Sequence, residues 1–508
     1  MKKPLALLTA AMLVCLLGGC WQEEMPDEEE RGSLMLPGEE TETRPASNLP
    51  ENLSLPYAPD QTLDPITCPD GMQQTAASLV CEGLFRLDGQ WNVENVLCAD
   101  YTYDENTYTY SFSLADVSFS DGTALSAADV KATLDRARTS ERYQARLSQV
   151  TGVTVRDGNV LVRLSGPNTG FPALLDIPIV KSGTHGGLPV GTGPYVFSRE
   201  EGGLTLRANP LWRKGNAQPV ERIALVEAAD QETMRYRFTS REVQLITADL
   251  TGTTPMTAVG SVSYQDVDTT VMQYVGCNVS RAPLDNAAFR AALGEGIQRE
   301  QLVGGFLSGH GTAAQFPVHP RSALYPQGLE RAYSREAFAL ALAQSGVTAD
   351  RTLTLLVNQE NSFKLSAAEA LASAWTEAGA ATEVRALPWE EYTAALAAGD
   401  FDLYYGETRL TADWDLSALL RTGGALNYGG WADETMETLL DDFAAASDRK
   451  AAMEAVCRRL QETAPILPVC FKSSSVLTWA EVLEGLTPTA AEPFRGLESC
   501  TVHLRETG

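Results

Sequence analysis

An α/β fold of more than one lobe is predicted for this chain on three grounds. Strands alternate with helices of roughly 12 residues between Leu353 and Leu403, the rhythm of βαβ units and a largely parallel sheet. A strict period of two runs from Thr107 to Leu114, and a turn and a capped amphipathic helix follow it. The length, 508 residues, exceeds a single hydrophobic core, so two or three domains are expected.

The N-terminus reads as an export signal. Lys2 and Lys3 precede an apolar run from Leu5 to Leu17 that is too short for a convincing membrane span. It ends Leu17-Gly18-Gly19-Cys20, which resembles the lipobox of bacterial lipoproteins and implies cleavage before Cys20 and acylation of that cysteine. Trp21 to Pro50 holds nine acidic residues against two basic ones, with four prolines, and reads as a disordered tether. The formal charge is −27, and −29 once Lys2 and Lys3 leave with the signal. Such a balance argues against nucleic acid and against a polybasic membrane patch. Beyond Cys15 and Cys20, seven cysteines remain, with no C-x-x-C spacing and no zinc pattern. An exported chain can pair some of them, and sequence does not choose the pairs.

Further along, Tyr108, Tyr110, Phe112 and Leu114 share one face of a half-buried strand. Asp121-Gly122 marks a turn, and Ser126 with Asp129 forms a variant capping box that starts a helix near Ala127. Val130, Leu134 and Ala137 give that helix its apolar face. Two strands follow about the turn at Asp157-Gly158-Asn159. Glu221 to Val226 and Val243 to Ile246 read as strands and Gln231 to Thr239 as a helix. Leu353 to Val357 and Thr382 to Ala386 read as strands. Helices Ala367 to Ala378 and Trp389 to Ala398 end at Gly379 and Gly399, and Asp400 to Leu403 starts the next strand. Met436 to Phe443 and Arg449 to Glu462 close the series as helices.

Several literal strings carry more than their periodicity. Phe119-Ser120-Asp121-Gly122-Thr123-Ala124-Leu125-Ser126-Ala127-Ala128-Asp129-Val130 resembles the "FSDGxPLTAxDV" signature of the extracytoplasmic solute-binding proteins of peptide and nickel ABC transporters, family 5. Leu63-Asp64-Pro65 resembles the opening "LDP". Val80 to Phe85 resembles "LYEGL", where Gly83 is expected to cap a helix in the left-handed region. Gly191-Thr192-Gly193-Pro194-Tyr195 matches "GTGPY", and Asn209 to Arg213 resembles "NPxYWR". Met272 to Asn278 and Ile466 to Phe471 resemble the strands that pass between lobes. Phe289 to Leu302 resembles "RQALxxAIDRExL", in which Arg290 reads as a surface or packing arginine rather than a ligand residue. In order, these motifs span about Leu63 to Leu497.

The resemblance implies a two-lobe, type II periplasmic-binding-protein fold with an extra subdomain inserted in lobe I. The expected divisions are signal 1–20, tether 21–50, lobe I at 51–85, 190–275 and 471–508, inserted subdomain 86–189, and lobe II 276–470. It also implies a monomer outside the cytoplasm, lipid-anchored through Cys20, that closes around a peptide or similar small solute and docks on an ABC permease. A nickel or metal-chelate carrier on the same fold and a non-transporting surface sensor stay open as alternatives.

No catalytic constellation is present: no Gly-x-Ser-x-Gly, no His-Glu-x-x-His, no Walker loop, and no cofactor motif. His185, His310, His319 and His503 are far apart and read as loop or surface residues. Tyr404-Tyr405-Gly406, then Thr411-Ala412-Asp413-Trp414, resembles the aspartate loop of oligopeptide-binding members, which pairs with a peptide's α-amino group. By that resemblance Asp413, Trp414 and Tyr405 are the expected ligand-binding residues. Arg409 and Leu410 replace the usual Gly-Trp upstream, so the pocket wall departs from the pattern. As an N-cap for a helix from Leu416 to Leu420, Asp413 has an equally good structural role.

Overall fold

A computed structural model describes residues 49–68, 71–215, 217–256, 261–347 and 351–505. Cys20, the signal and nearly all of the tether lie outside the described residues.

The signature corner forms as its residues dictate. The strand Thr109–Leu114 buries Tyr110 and Phe112 and leads to the helix Ala127–Ala137. Ser126 Oγ accepts from the Asp129 N–H at 3.4 Å, and Asp129 Oδ2 accepts from the Ser126 N–H at 3.2 Å. That reciprocal pair satisfies two of the donors a helix start leaves open. The strand belongs to a four-stranded antiparallel sheet with Cys98–Asp104, Val150–Arg156 and Asn159–Leu164. Its core combines Tyr110, Phe112, Val130, Leu134, Val160, Val162 and Leu174.

A second four-stranded sheet orders Leu53–Tyr57, Arg222–Glu227, Gly203–Ala208 and Tyr195–Glu200. The expected GTGPY turn leads into its last strand. A Cβ on Gly191 would overlap the Val80 carbonyl, and one on Gly193 would come within 2.8 Å of the Leu79 carbonyl, so both positions require glycine. Gly83 differs from expectation. The helix before it ends at Ala77, and Gly83 instead forms an isolated bridge to Pro178. Its Cβ would meet the Phe85 carbonyl at 2.8 Å, so close backbone approach, not a left-handed cap, explains the residue.

The third sheet, of seven strands, holds the rest together. Two long antiparallel strands, Val262–Cys277 and Ile466–Trp479, run through its middle. Val267, Val476 and Trp479 pack in the core shared with the second sheet. Met272, Tyr274 and Phe471 pack in a different core, with Tyr404, Leu440 and Val456. The register between the strands shifts between Asp268 and Met272 and again between Gln273 and Tyr274. Both strands therefore leave one hydrophobic core and enter another across these few residues.

Beyond the crossing, Leu403–Arg409, Leu353–Asn358 and Thr382–Leu387 extend the sheet, all three parallel to one another as the βαβ rhythm implies. Helices cover both faces, so successive residues enter opposite cores: Tyr404 in one, Tyr405 in the other. The helix Trp389–Ala398 ends at Gly399 with φ 65°, the left-handed cap expected of it. The expected packing role of Arg290 holds: it is buried and donates to the carbonyls of Thr463, Ala464 and Leu284.

Candidate functional site

The strand Leu403–Arg409 ends in a loop that turns toward the antiparallel subdomain. Trp414 in this loop sits at φ 58° and is 1% exposed. A non-glycine residue in that region is held there by its surroundings. Its ring meets Trp91 at 5.3 Å and Phe471 at 5.9 Å, both edge to face. Trp91 comes from the short hairpin between Phe85–Leu87 and Val93–Asn95 and also has positive φ. His319 completes the cluster, 4.6 Å from Trp91 and 5.1 Å from Phe471. Four segments distant in sequence thus converge on one aromatic wall. His319, expected as a loop or surface residue, lies in a loop but is 0% exposed: its Nδ1 accepts from the Arg321 N–H, and Nε2 lies 3.4 Å from Asp268 Oδ1.

Asp413 adjoins this wall and is 3% exposed. Asn168 Nδ2, from the antiparallel subdomain, donates to its Oδ2 at 2.8 Å. Arg449 Nη2 donates to its backbone carbonyl. Arg146 and Arg449 both feel its negative charge, although burial holds each guanidinium below the ordinary arginine value, Arg146 at about 10. Asp413 caps no helix. The helix Ser417–Leu420 has Leu416 at its N-cap without a side-chain bond, and Asp415 Oδ1 is what accepts from the Ser417 N–H. Around Asp413 the two bodies touch directly. Thr169 N–H and Oγ1 donate to the carbonyls of Ala444 and Ala446, and Gly170 lies flat against the Arg449 guanidinium.

Tyr405 is placed differently. It is 1% exposed in the far core, and its hydroxyl donates to Gln273 Oε1 at 2.9 Å. Gln273 Nε2 in turn donates to Glu407 at 2.9 Å. Glu407 lies 3.7 Å from Lys472 Nζ and 3.8 Å from Lys364 Nζ, and Lys472 reaches Asp249 at 2.5 Å. This polar chain lines the crossing. The structure brings Asp413 and Trp414 together and sets Tyr405 behind them. Sequence reading missed Trp91, Asn168, Arg146 and Arg449, which carry no motif; their only signal is proximity in the fold.

The chain's residues 92–426 match the bacterial extracellular solute-binding proteins, family 5, middle region, and the chain belongs to that family. Members of this family work outside the cytoplasm. Among curated proteins, the chain is similar to the glutathione-binding protein GsiB of Salmonella typhi, 29% identical over 288 residues, 53% of this chain and 56% of that protein. It thus spans about half the length of the curated relatives it matches. Among solved structures, it resembles a nickel ABC transporter protein from Bacillus halodurans (TM-score 0.74, 17% identity, 89% of this chain and 100% of that one). It also resembles the oligopeptide-binding protein AppA of Bacillus subtilis in complex with a nonapeptide (TM-score 0.59, 18% identity, 89% and 100%). The fold is the two-lobe type II arrangement of these binding proteins, with the crossing strands between lobes. Among the described residues, no helix is long and apolar enough to cross a membrane.

Proposed function

We propose that this chain is the substrate-binding component of an ABC importer, and that it captures a short peptide or peptide-like solute between its lobes for delivery to a membrane permease. In this reading Cys20 carries the lipid anchor, the chain acts as a monomer, and the lobe divisions follow the boundaries set out above. The observation that carries it is the aromatic cluster beside the crossing strands: Trp91, His319, Trp414 and Phe471, from four segments distant in sequence, converge on one core. Aromatic walls beside polar groups suit an extended peptide, whose main chain takes hydrogen bonds and whose side chains pack. Glutathione is the first compound to test, because the GsiB relatives are named for binding it.

The metal-chelate alternative is less well supported. His319 is fully buried with Nδ1 accepting from the Arg321 N–H, and His310 Nδ1 is bonded to Asp266 Oδ2 at 2.8 Å. A thermal-shift screen over glutathione, di- to pentapeptides and nickel–histidine decides between them. A compound at 100 times its Kd adds roughly 2.7 kcal/mol of stability. Stabilisation by nickel–histidine and by none of the peptides overturns the proposal. Mass spectrometry of the membrane-extracted chain tests the anchor: a diacylglycerol on Cys20 is expected, and a Cys20→Ser chain retained in the lipid-anchored fraction contradicts it.

A further inference from the structure

A cavity of about 440 Å³ lies away from the seam, within the range of roughly 300–1,000 Å³ that small-molecule sites take. Its lining comes from residues 291–337 and 460–468 and includes none of Trp91, Asp413, Trp414 or Phe471. The end of the helix Ala287–Glu295 and the starts of Arg299–Phe306 and Arg335–Gln344 meet there the end of Arg449–Thr463 and the first residues of the strand Ile466–Trp479. Ile297, Phe316, Leu460, Ile466, Leu467 and Pro468 give it a buried apolar wall. Residues 330–334 border it, and their segment is fastened in place. Gln461 Nε2 donates to the Leu329 carbonyl at 2.7 Å, Gln315 Nε2 donates to the Arg331 carbonyl at 2.7 Å, and Gln315 Oε1 accepts from the Arg331 N–H at 3.0 Å.

Five charged side chains line this cavity, and their pairing is incomplete. Arg331 takes Glu295. Glu330 Oε1 accepts from the Tyr325 hydroxyl at 2.6 Å, a neutral partner. Among the described residues, Arg299, Glu300 and Glu330 take part in no ion pair. Arg299 Nε donates to the carbonyls of Ala314 at 3.1 Å and Pro468 at 2.9 Å, and its Nη1 stands 3.5 Å from the Ile297 carbonyl. Those bonds fix the guanidinium without neutralising it, and none of them takes Nη2. Burial pushes this guanidinium down to about 10, against the opposing influence of Tyr325, Glu300 and Glu330. A fixed guanidinium, two carboxylates without cations and an apolar wall are together the complement of a zwitterion with a hydrocarbon side chain. A plain carboxylate would meet Glu300 and Glu330 with like charge, and a plain amine would leave Arg299 without a counter-ion.

We propose that this cavity is a second binding site, and that it takes a free α-amino acid with an apolar side chain. The ligand's carboxylate pairs with Arg299, its ammonium with Glu300 and Glu330, and its side chain packs on Phe316 and Leu467. The site stands apart from whatever the seam carries, so both can be filled at once.

The test is calorimetry on the full chain with L-leucine, L-isoleucine and L-phenylalanine. Leucinamide, which lacks the carboxylate, and 4-methylpentanoate, which lacks the ammonium, are the controls. At least one of the amino acids is expected to bind, and its amide and deaminated forms are expected to bind at least about tenfold more weakly. Two variants at exposed positions locate the site, with circular dichroism to check the fold. Ala337→Trp puts a large ring into the lining, and Glu300→Gln with Glu330→Gln removes both free carboxylates while keeping an acceptor for Tyr325. Each is expected to weaken the amino acid at least about tenfold and to leave peptide binding at the seam unchanged. Heat from none of the three amino acids at millimolar concentration, controls that bind as well as the amino acid, or wild-type affinity in both variants overturns the inference. So does loss of amino-acid binding when the seam is saturated with the tightest peptide of the screen, which would place the amino acid at the seam and leave the peptide reading standing. Failure of every peptide while an amino acid binds wild type and not the variants sinks the peptide reading and keeps the second site.

Discussion

The two ends of the seam are built on different principles. At the crossing, contacts run along continuous chain. Thr269 Oγ1 donates to the Lys472 carbonyl at 2.6 Å, Thr270 Oγ1 donates to the Leu410 carbonyl at 2.6 Å, and two strands pass through side by side. At the far end nothing covalent connects the bodies nearby. Asn168 and Asp413 are 245 residues apart, and Thr169 meets Ala446 across 277. Separation of the lobes would break every far-end contact and leave the strand pairing intact. The far end is therefore a latch and the crossing a hinge, and the register shifts near Asp268 to Gln273 mark the segment that bends.

The largest effect is expected at the latch. Asp413→Ala removes a buried carboxylate that accepts from Asn168 and whose charge Arg146 and Arg449 feel. Urea unfolding should show a loss of about 3 kcal/mol, the upper end for a buried hydrogen bond to a charged group. The same residue separates latch from ligand contact. Because Asn168 occupies Asp413 Oδ2, N-acetylation of a bound peptide should cost under about tenfold in affinity. A loss on the order of 30-fold or more would assign Asp413 to the ligand's ammonium instead.

At the hinge, Lys472→Met leaves Glu407 and Asp249 without their shared cation. About 2 kcal/mol of destabilisation is expected in the same urea assay, below the fully buried figure because Asp249 is half exposed. Asp268 provides a pH signature. Burial alone would raise its carboxyl, but the His319 imidazole beside it and the Arg321 charge, 2.8 Å away, outweigh burial and hold it below the ordinary 3.8. A carboxyl depressed in the folded state stabilises at neutral pH. As pH falls below 3.8 the unfolded chain takes the proton first, and the contribution is gone once pH passes below the folded value. Acid titration of the wild type should therefore show a loss of stability below 3.8 that Asp268→Asn lacks. Asn168→Ala removes three side-chain bonds, to Asp413, to Gln149 and from the Gly170 N–H. It should cost about 2 kcal/mol, and it should speed ligand release in stopped-flow mixing without changing urea behaviour at the hinge.

Much of this scaffold was legible from residues alone, because local chemistry settles it. The capping box at Ser126, the hairpin at Asp157-Gly158, the helix from Gln231 to Thr239 and the cap at Gly399 all form where propensity and pattern agree. The hinge was only half legible. Met272 to Cys277 and Ile466 to Phe471 look like strands, but the strands are 16 and 14 residues long. Their other halves read Tyr264-Gln265-Asp266 and Ser473-Ser474-Ser475, polar runs without strand signal, and they pair because each has the other as its neighbour. The latch was legible in one residue, Asp413, and through a resemblance. Asn168, Gly170 and Arg449 sit in ordinary loop and helix-start contexts, and only the meeting of two bodies makes them a site.

Small-angle scattering of the chain lacking residues 1–20, with and without saturating amounts of the tightest peptide from the screen, tests the hinge-and-latch account most directly. The account expects the radius of gyration to fall on binding in the wild type. It expects a larger radius in ligand-free Gly170→Val, whose side chain would occupy the place of the Arg449 guanidinium. Superimposable profiles for all three samples at saturation would contradict it.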